Sequence, residues 1–171
     1  MENDHPPEVA NLELNGLRMT ANAGIHQVRR ALATAYVTRI EQVVARESIG
    51  MGAASAKVVK RWKSTFTRCV FDRADQVDFL LALQKECCSR ANGGVLLLNI
   101  VQVLNNTLEL VMEEAVNDWW LDERSSEGEK MLTVRKPTEA FVKWLAEAES
   151  ESESEDGESE SDEEEEESED E

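Results

Sequence analysis

Apolar residues recur at intervals of three and four through most of this sequence, and this spacing constrains the fold more than any other feature. The clearest stripe comprises Ile25, Val28, Leu32, Tyr36, Ile40 and Val43. Side chains at these intervals share one face of an α-helix, whereas a strand would need alternation. The pattern therefore predicts a long amphipathic helix that buries one face.

The same spacing predicts further helices, separated by short breaks such as Gly50–Gly52 and Gly93–Gly94. The predicted segments after residue 52 are about 58–66, 74–91, 95–104, 108–121 and 135–149. Residues 95–104 are so apolar that length alone does not separate a buried helix from a strand, and the helical neighbours favour a helix. Pro137 suits the first turn of the last helix. We therefore expect an all-α, HEAT-like array of antiparallel helices, although no strict sequence repeat is present.

Negative charge is concentrated at the C-terminal end. The 171-residue chain has a formal net charge of -18, and residues 147–171 contain seventeen acidic residues and no lysine or arginine. After residue 149 the sequence is serine, glutamate and aspartate apart from Gly157, a composition that cannot bury enough apolar area to offset chain ordering. The predicted organisation is a flexible start at 1–10, one folded domain at 11–149, and a disordered acidic tail at 150–171.

The acidic tail favours a basic polypeptide as partner and disfavours direct contact with nucleic acid, because it repels phosphate. Composition alone equally allows a tail that only aids solubility. Five serines are followed by an acidic residue three positions later, which suits acidophilic kinases: Ser150, Ser152, Ser159, Ser161 and Ser168.

Cysteine content and hydropathy bear on the compartment. The three cysteines are sparse, and Cys87 and Cys88 are adjacent on a predicted helix, which is most simply packing rather than redox chemistry. The polar first residues differ from a signal peptide, and no apolar run approaches membrane-spanning length. These features predict no membrane association and a cytoplasmic location, with the nucleus as an open alternative.

Residues with catalytic chemistry are scarce. The two histidines, His5 and His26, have no cysteine or carboxylate at metal-ligand spacing, and the sequence lacks a phosphate-binding glycine loop and a nucleophile elbow. We therefore expect no metal, no cofactor and no covalent chemistry.

Two boxes combine aromatic and acidic residues. The first contains Glu113, Glu114, Asp118, Trp119 and Trp120, and the second contains Phe141, Trp144, Glu147 and Glu149. Each tryptophan can be a core anchor or a binding residue. Neighbours on a helix diverge by about 100°, so burial of one of the two adjacent indoles places the other at the surface or in a groove. A surface indole among carboxylates would suit a lysine-rich peptide.

These boxes resemble those of the two-tryptophan domain shared by initiation factor 5, initiation factor 2B epsilon and the initiation factor 4 gamma family. The order of residues 84–88, the two boxes and the intervening Val134–Lys136 is similar to that domain. Residues 11–19 and 28–31 resemble the opening of the epsilon exchange segment. The chain departs from the pattern at Val103–Asn106, where relatives carry an aromatic residue and an acid.

The resemblance implies a module that promotes GDP release from initiation factor 2. It assigns exchange to Glu13 together with Leu12, and it assigns the boxes to a lysine-rich segment of the beta subunit, beside the gamma-subunit GTPase. It also implies contact with other subunits of initiation factor 2B. The amino-terminal domains of the epsilon subunit have no counterpart here, so we expect a fragment or a truncated gene product.

Two other functions stay open on the sequence. One is a non-catalytic scaffold for initiation factors, as the corresponding domain of initiation factor 5 is. The other is an acidic binder of basic proteins that acts mainly through the tail.

Overall fold

The computed structural model describes residues 7–155, and every regular element in that range is helical. The helices are α1 (Pro7–Thr20), α2 (Ile25–Glu47), α3 (Met51–Cys69), α4 (Arg73–Cys87), α5 (Gly93–Gln102), α6 (Glu113–Leu121), α7 (Glu129–Arg135) and α8 (Glu139–Glu155). A π-helical turn (Val103–Thr107) follows α5, and 3-10 turns (Glu123–Ser126 and Lys136–Thr138) flank α7. The predicted all-α, HEAT-like class is confirmed. Residues 1–6 and 156–171, which include Ser159, Ser161 and Ser168, lie outside the described residues.

The two ends of the domain differ from the predicted boundaries. Helix α1 begins at Pro7, ahead of the boundary predicted at residue 11. A proline is favourable there because the first amide of a helix has no intrahelical acceptor. Helix α8 continues to Glu155, past the predicted end at 149. No glycine or proline interrupts residues 138–156, and glutamate is a good helix former.

Two predicted segments are wrong in part. Residues 108–112 are not helical, because the chain reverses at Glu109, which has a positive φ of 50°. The amides of Leu110 and Val111 both donate to the carbonyl of Leu104. The last predicted helix is divided, since Arg135 ends α7 and Pro137 lies in the 3-10 turn before α8. The short helix α7 was not predicted, because seven residues carry too few apolar repeats.

The glycine pair predicted as a break instead begins α5. A side chain at Gly93 would collide with the Cys87 carbonyl, and one at Gly94 would meet the ring of Pro137. Both glycines therefore allow α5 to approach the end of α4 and the turn before α8.

The core lies between successive helices of the array. Helix α2 packs against α3 and α4, α3 against α1 and α5, and α6 against α4 and α8. At the centre, Tyr36, Phe66 and Phe79 form consecutive edge-to-face pairs with centroids 5.1 and 5.7 Å apart. No helix in the described range is long and apolar enough to span a bilayer.

A buried arginine ties the early helices together. Arg29 of α2 donates to the carbonyl of Cys69, to Asp78 at 3.0 Å and to Asp75. Because a buried guanidinium needs both charge and hydrogen-bond partners, the two α4 carboxylates fix the position of α2 on α4. Helix α4, held to α2 in this way, also packs against α6.

Candidate partner-binding site

The first box is anchored in the core by Trp119. This indole is fully buried in α6, and its Nε1 donates to Oε1 of Gln84 at 2.9 Å. The amide nitrogen of Gln84 donates in turn to the carbonyls of Ser125 (2.7 Å) and Met131 (3.0 Å). One buried amide therefore joins α4, α6 and α7, and each of its polar atoms is satisfied. The prediction that Trp119 contacts a partner directly is corrected, because no part of the indole reaches the surface.

Trp120 lies at the rim of the same box and is half-buried. The guanidinium carbon of Arg135 stands 4.3 Å from its ring centroid. The same guanidinium donates to the carbonyl of Trp120 at 2.9 Å and to the Ser125 hydroxyl. The sequence correctly predicted that the two adjacent indoles would diverge, but one ring face of Trp120 is covered by an internal cation. Arg135 is therefore a site residue that the pattern did not identify, because nothing in the sequence pairs it with an indole 15 positions away.

The acidic residues of the first box fall into two groups. Glu113 and Glu114 are exposed in the first turn of α6, where the helix dipole favours negative charge. Asp118 instead pairs with Arg73 of α4, whose Nη2 lies 2.6 Å from Oδ1. The hydrogen bond from Arg73 holds the pKa of the Asp118 carboxyl below its usual range. Asp118 is therefore partly neutralised within the domain, and the two glutamates carry the outward charge.

The second box presents an aromatic surface. Phe141 is buried, whereas Trp144 is 53% exposed and stacks on Phe141 with centroids 5.9 Å apart and planes at 24°. The Nε1 of Trp144 has no hydrogen-bond partner among the described residues. Glu147 is exposed one turn later. Glu149 belongs to α8, and the structure does not describe its side chain. The half-exposed indole of the second box is therefore Trp144, whereas the sequence argument for a surface indole concerned Trp119 and Trp120.

An acidic groove lies between the start of the first box and the end of α8. It has a volume of about 840 Å³ and opens between the turn after α5, the start of α6 and the end of α8. Its lining comprises Asn105, Asn106, Glu109, Val111, Met112, Glu113, Glu114 and Ala148. Three carboxylates and no basic residue line it, so the groove attracts cationic side chains. The stretch at 103–106 that departs from the family pattern forms one wall, with Asn105 donating to the Val111 carbonyl at 3.1 Å.

The residues assigned to exchange lie on another part of the array. Leu12 is 73% exposed and Glu13 is exposed, both on α1, which packs against α3. The two boxes lie on α6 and α8, which pack against each other. Ser150 and Ser152 belong to the final turns of α8, and their side chains are not described.

Comparison with known proteins places this geometry in a family. The W2 family, described as eIF4-gamma/eIF5/eIF2-epsilon, matches residues 75–155, which include both boxes, the groove and Gln84. Residues 75–155 are a W2 domain. The buried amide of Gln84, the covered ring of Trp120 and the exposed ring of Trp144 therefore all belong to the W2 domain.

A longer similarity identifies the type of W2 domain. Translation initiation factor eIF2B subunit epsilon of Schizosaccharomyces pombe is 39% identical over 149 residues, which is 86% of this chain and 21% of that protein. The chain thus spans about a fifth of the length of this curated relative. A match of that extent cannot fit between residue 75 and the C-terminus, so it continues well upstream of the W2 match. The chain carries a W2 domain of the eIF2B epsilon type.

Proposed function

We propose that this chain is a nucleotide-exchange module that binds initiation factor 2 and promotes release of GDP from its GTPase subunit. The observation that carries this proposal is the similarity to the epsilon subunit upstream of residue 75. The W2 family also includes eIF4-gamma and eIF5 types, so the boxes alone do not indicate exchange.

The acidic groove and Trp144 supply the binding part of this function. Glu113 and Glu114 offer carboxylates at the start of α6 that have no ion-pair partner among the described residues, and Trp144 offers a half-exposed ring. A lysine-rich segment of the beta subunit can pack its aliphatic stems on the ring and place its ammonium groups among the carboxylates. The domain would act in the cytoplasm, beside other subunits of initiation factor 2B.

Helix α1 supplies the exchange part. Glu13 projects a carboxylate from an exposed surface, and Leu12 provides an adjacent apolar contact. A carboxylate that enters a GTPase site can compete for the phosphate-binding lysine or disturb the bound magnesium, since both balance phosphate charge. GDP would then dissociate faster without any covalent step.

Release of labelled GDP from initiation factor 2 tests this division of roles. The full chain should accelerate release, Glu13→Ala should abolish acceleration with binding retained, and Trp144→Ala should weaken binding. Glu129→Ala is a matched control, because Glu129 is an exposed carboxylate on another helix. Circular dichroism should show equal helicity in all four proteins. Unchanged release by a folded Glu13→Ala protein would contradict the proposed role of that carboxylate.

The second candidate, a non-catalytic initiation-factor scaffold, is favoured by the eIF5-type members of the W2 family. It predicts tight binding without acceleration of GDP release by the wild-type chain. The third candidate, an acidic binder of basic proteins, predicts that deletion of residues 150–171 abolishes binding and that Trp144→Ala has little effect.

A further inference from the structure

Charge is divided between two halves of this chain. Residues 18–69, which span α2 and α3, contain ten basic and two acidic residues. Residues 70–155 contain eight basic and eighteen acidic residues, and residues 156–171 contain twelve acidic residues and no basic one. The stretch 18–69 is therefore positively charged within a protein whose net charge is -18.

The positive charge is concentrated on one face of α3. This helix contains five basic residues and no acidic one. At about 100° per residue, all five fall within one arc, together with the exposed hydroxyl residues Ser64 and Thr67. Buried residues such as Val58, Val59 and Phe66 occupy the opposite side. The arc, which we call the basic face, comprises Lys57, Lys60, Arg61, Lys63 and Arg68.

Only part of the basic face is compensated within the domain. Lys57 pairs with Glu47 at 2.6 Å, and the guanidinium of Arg61 lies 5.9 Å from the ring centroid of Trp62. Lys60, Lys63 and Arg68 form no ion pair among the described residues. Three neighbouring cations therefore lack a counter-charge on the part of the domain that the structure describes.

Helix α1 packs against α3 and carries one cation, Arg18, in its last turn. Burial raises the pKa of the Cys69 thiol, and the positive charges of Arg29, Arg18 and Arg68 oppose that rise. Arg18 and Arg68 each lie in the last turn of their helix, where the helix dipole favours positive charge.

We propose that the basic face binds residues 156–171 of the same chain. Twelve of these sixteen residues are acidic, so they match the uncompensated cations in sign and density. Sixteen residues reach about 55 Å when extended, whereas a domain of this size has a radius of gyration of about 15 Å. The segment leaves α8 at Glu155 and can therefore reach α3.

Tethering favours this segment over other anions. Because the segment belongs to the same chain, its effective concentration at the basic face is of the order of millimolar, and the net negative charge of the chain repels nucleic acid. Phosphorylation of Ser159, Ser161 or Ser168 would add negative charge and strengthen the contact. The inference goes beyond the proposed exchange function and does not depend on it.

Zero-length carbodiimide cross-linking of the full chain, mapped by mass spectrometry, tests the contact directly. We expect links from carboxylates of residues 156–171 to Lys60 and Lys63 at roughly tenfold the frequency of links to Lys130 and Lys136, because the contact raises local concentration. Lys130 and Lys136 are exposed lysines outside the basic face and serve as internal controls. In about 1 M salt, where the Debye length falls to about 3 Å, the preference should disappear.

A mixture of isotopically light and heavy chains separates contacts within a molecule from contacts between molecules. Links confined to chains of one isotope support the proposal, whereas mixed links would identify a second copy as the occupant and overturn it. Links spread evenly over exposed lysines would also overturn it.

A charge-reversal pair gives a second readout. Lys60→Glu with Lys63→Glu should increase the radius of gyration measured by small-angle scattering, as high salt should for the wild-type chain. The matched pair Lys130→Glu with Lys136→Glu makes the same change in net charge and should leave the radius unchanged. Equal expansion in both pairs would show a general charge effect and contradict a specific contact on α3.

Discussion

The two aromatic–acidic boxes have similar composition but opposite environments. In the first, Trp119 is fully buried and its Nε1 has an internal acceptor in Gln84. In the second, Trp144 is 53% exposed and rests on Phe141 with its Nε1 open to solvent or a partner. The first box therefore stabilises the domain, and the second presents a ring for contact.

In this domain, the buried indole is the one whose N–H has a hydrogen-bond acceptor in the interior. Gln84 can satisfy Trp119 because α4 lies directly beneath α6. Trp144 lies on the last helix of the described array, which packs against α6 on one side. A terminal helix has fewer neighbours to cover its side chains, so an aromatic residue there stays accessible.

The largest expected effect is on the first box. Trp119→Ala should lower the free energy of unfolding by about 3–5 kcal/mol, because it leaves a large cavity beside an unpaired Gln84. Urea denaturation followed by circular dichroism measures the loss. Trp119→Phe, which keeps much of the volume, should cost less and gives a measurable variant if the alanine variant does not fold. A stability near wild type for Trp119→Ala would remove the distinction between the boxes.

Gln84→Ala should have the next largest effect, a loss of about 2 kcal/mol. The substitution removes the acceptor of the Trp119 indole nitrogen. It also removes the donor to the buried carbonyls of Ser125 and Met131. Its exposed neighbour Lys85 provides the control, since Lys85→Ala should leave the denaturation midpoint unchanged. Equal midpoints for the two variants would show that the buried amide does not support the box.

Arg135→Ala should lower stability by about 1 kcal/mol, because it removes a cation–π contact and two hydrogen bonds at the rim. It should also expose Trp120, which quenching of tryptophan fluorescence by acrylamide can detect. Arg135→Lys should restore little of this stability, because the lysine ammonium lacks the planar set of N–H donors that a guanidinium has. Quenching identical to that of wild type would contradict a covered Trp120.

The ion pair of Arg73 with Asp118 should have a smaller effect on stability, and this effect should depend on pH. Arg73 lowers the pKa of the Asp118 carboxyl, so this pair contributes stability above the ordinary carboxyl pKa, and the contribution is lost as pH falls through the lowered value. The contribution should stay below about 1 kcal/mol because both side chains are substantially exposed. Denaturation midpoints of wild type and Arg73→Gln should therefore differ near neutral pH and converge in strong acid. A constant difference at all pH values would exclude the pair as its source.

The sequence predicts the helices that carry several apolar repeats, such as α2 and α4. A long run of apolar residues at helical spacing shows both that the segment is a helix and which of its faces is buried. It misses α7, whose seven residues contain too few repeats, and the reversal at Glu109, where a positive φ has no glycine to mark it. The divergence of Trp119 and Trp120 follows from helical geometry alone. Which indole is buried does not, because that depends on Gln84, thirty-five positions away.

The pairing of Arg135 with Trp120 is missed for a related reason. The contact crosses from α7 to α6, and a basic residue near two aromatics has many possible partners in a linear sequence. The groove is likewise not predicted, because it is formed where residues 105–114, which include part of the unpredicted turn at 103–107, meet Ala148 near the end of α8.

The most direct test of the contrast between the boxes is the affinity of Trp144→Ala for initiation factor 2, measured beside its melting temperature. Phe71→Ala is the matched control, because Phe71 is an aromatic residue 79% exposed outside both boxes. We expect Trp144→Ala to keep the melting temperature of wild type and to bind at least about tenfold more weakly, whereas Phe71→Ala should keep both the melting temperature and the affinity. An unchanged affinity, or an equal loss in Phe71→Ala, would contradict the assignment of the second box to partner binding.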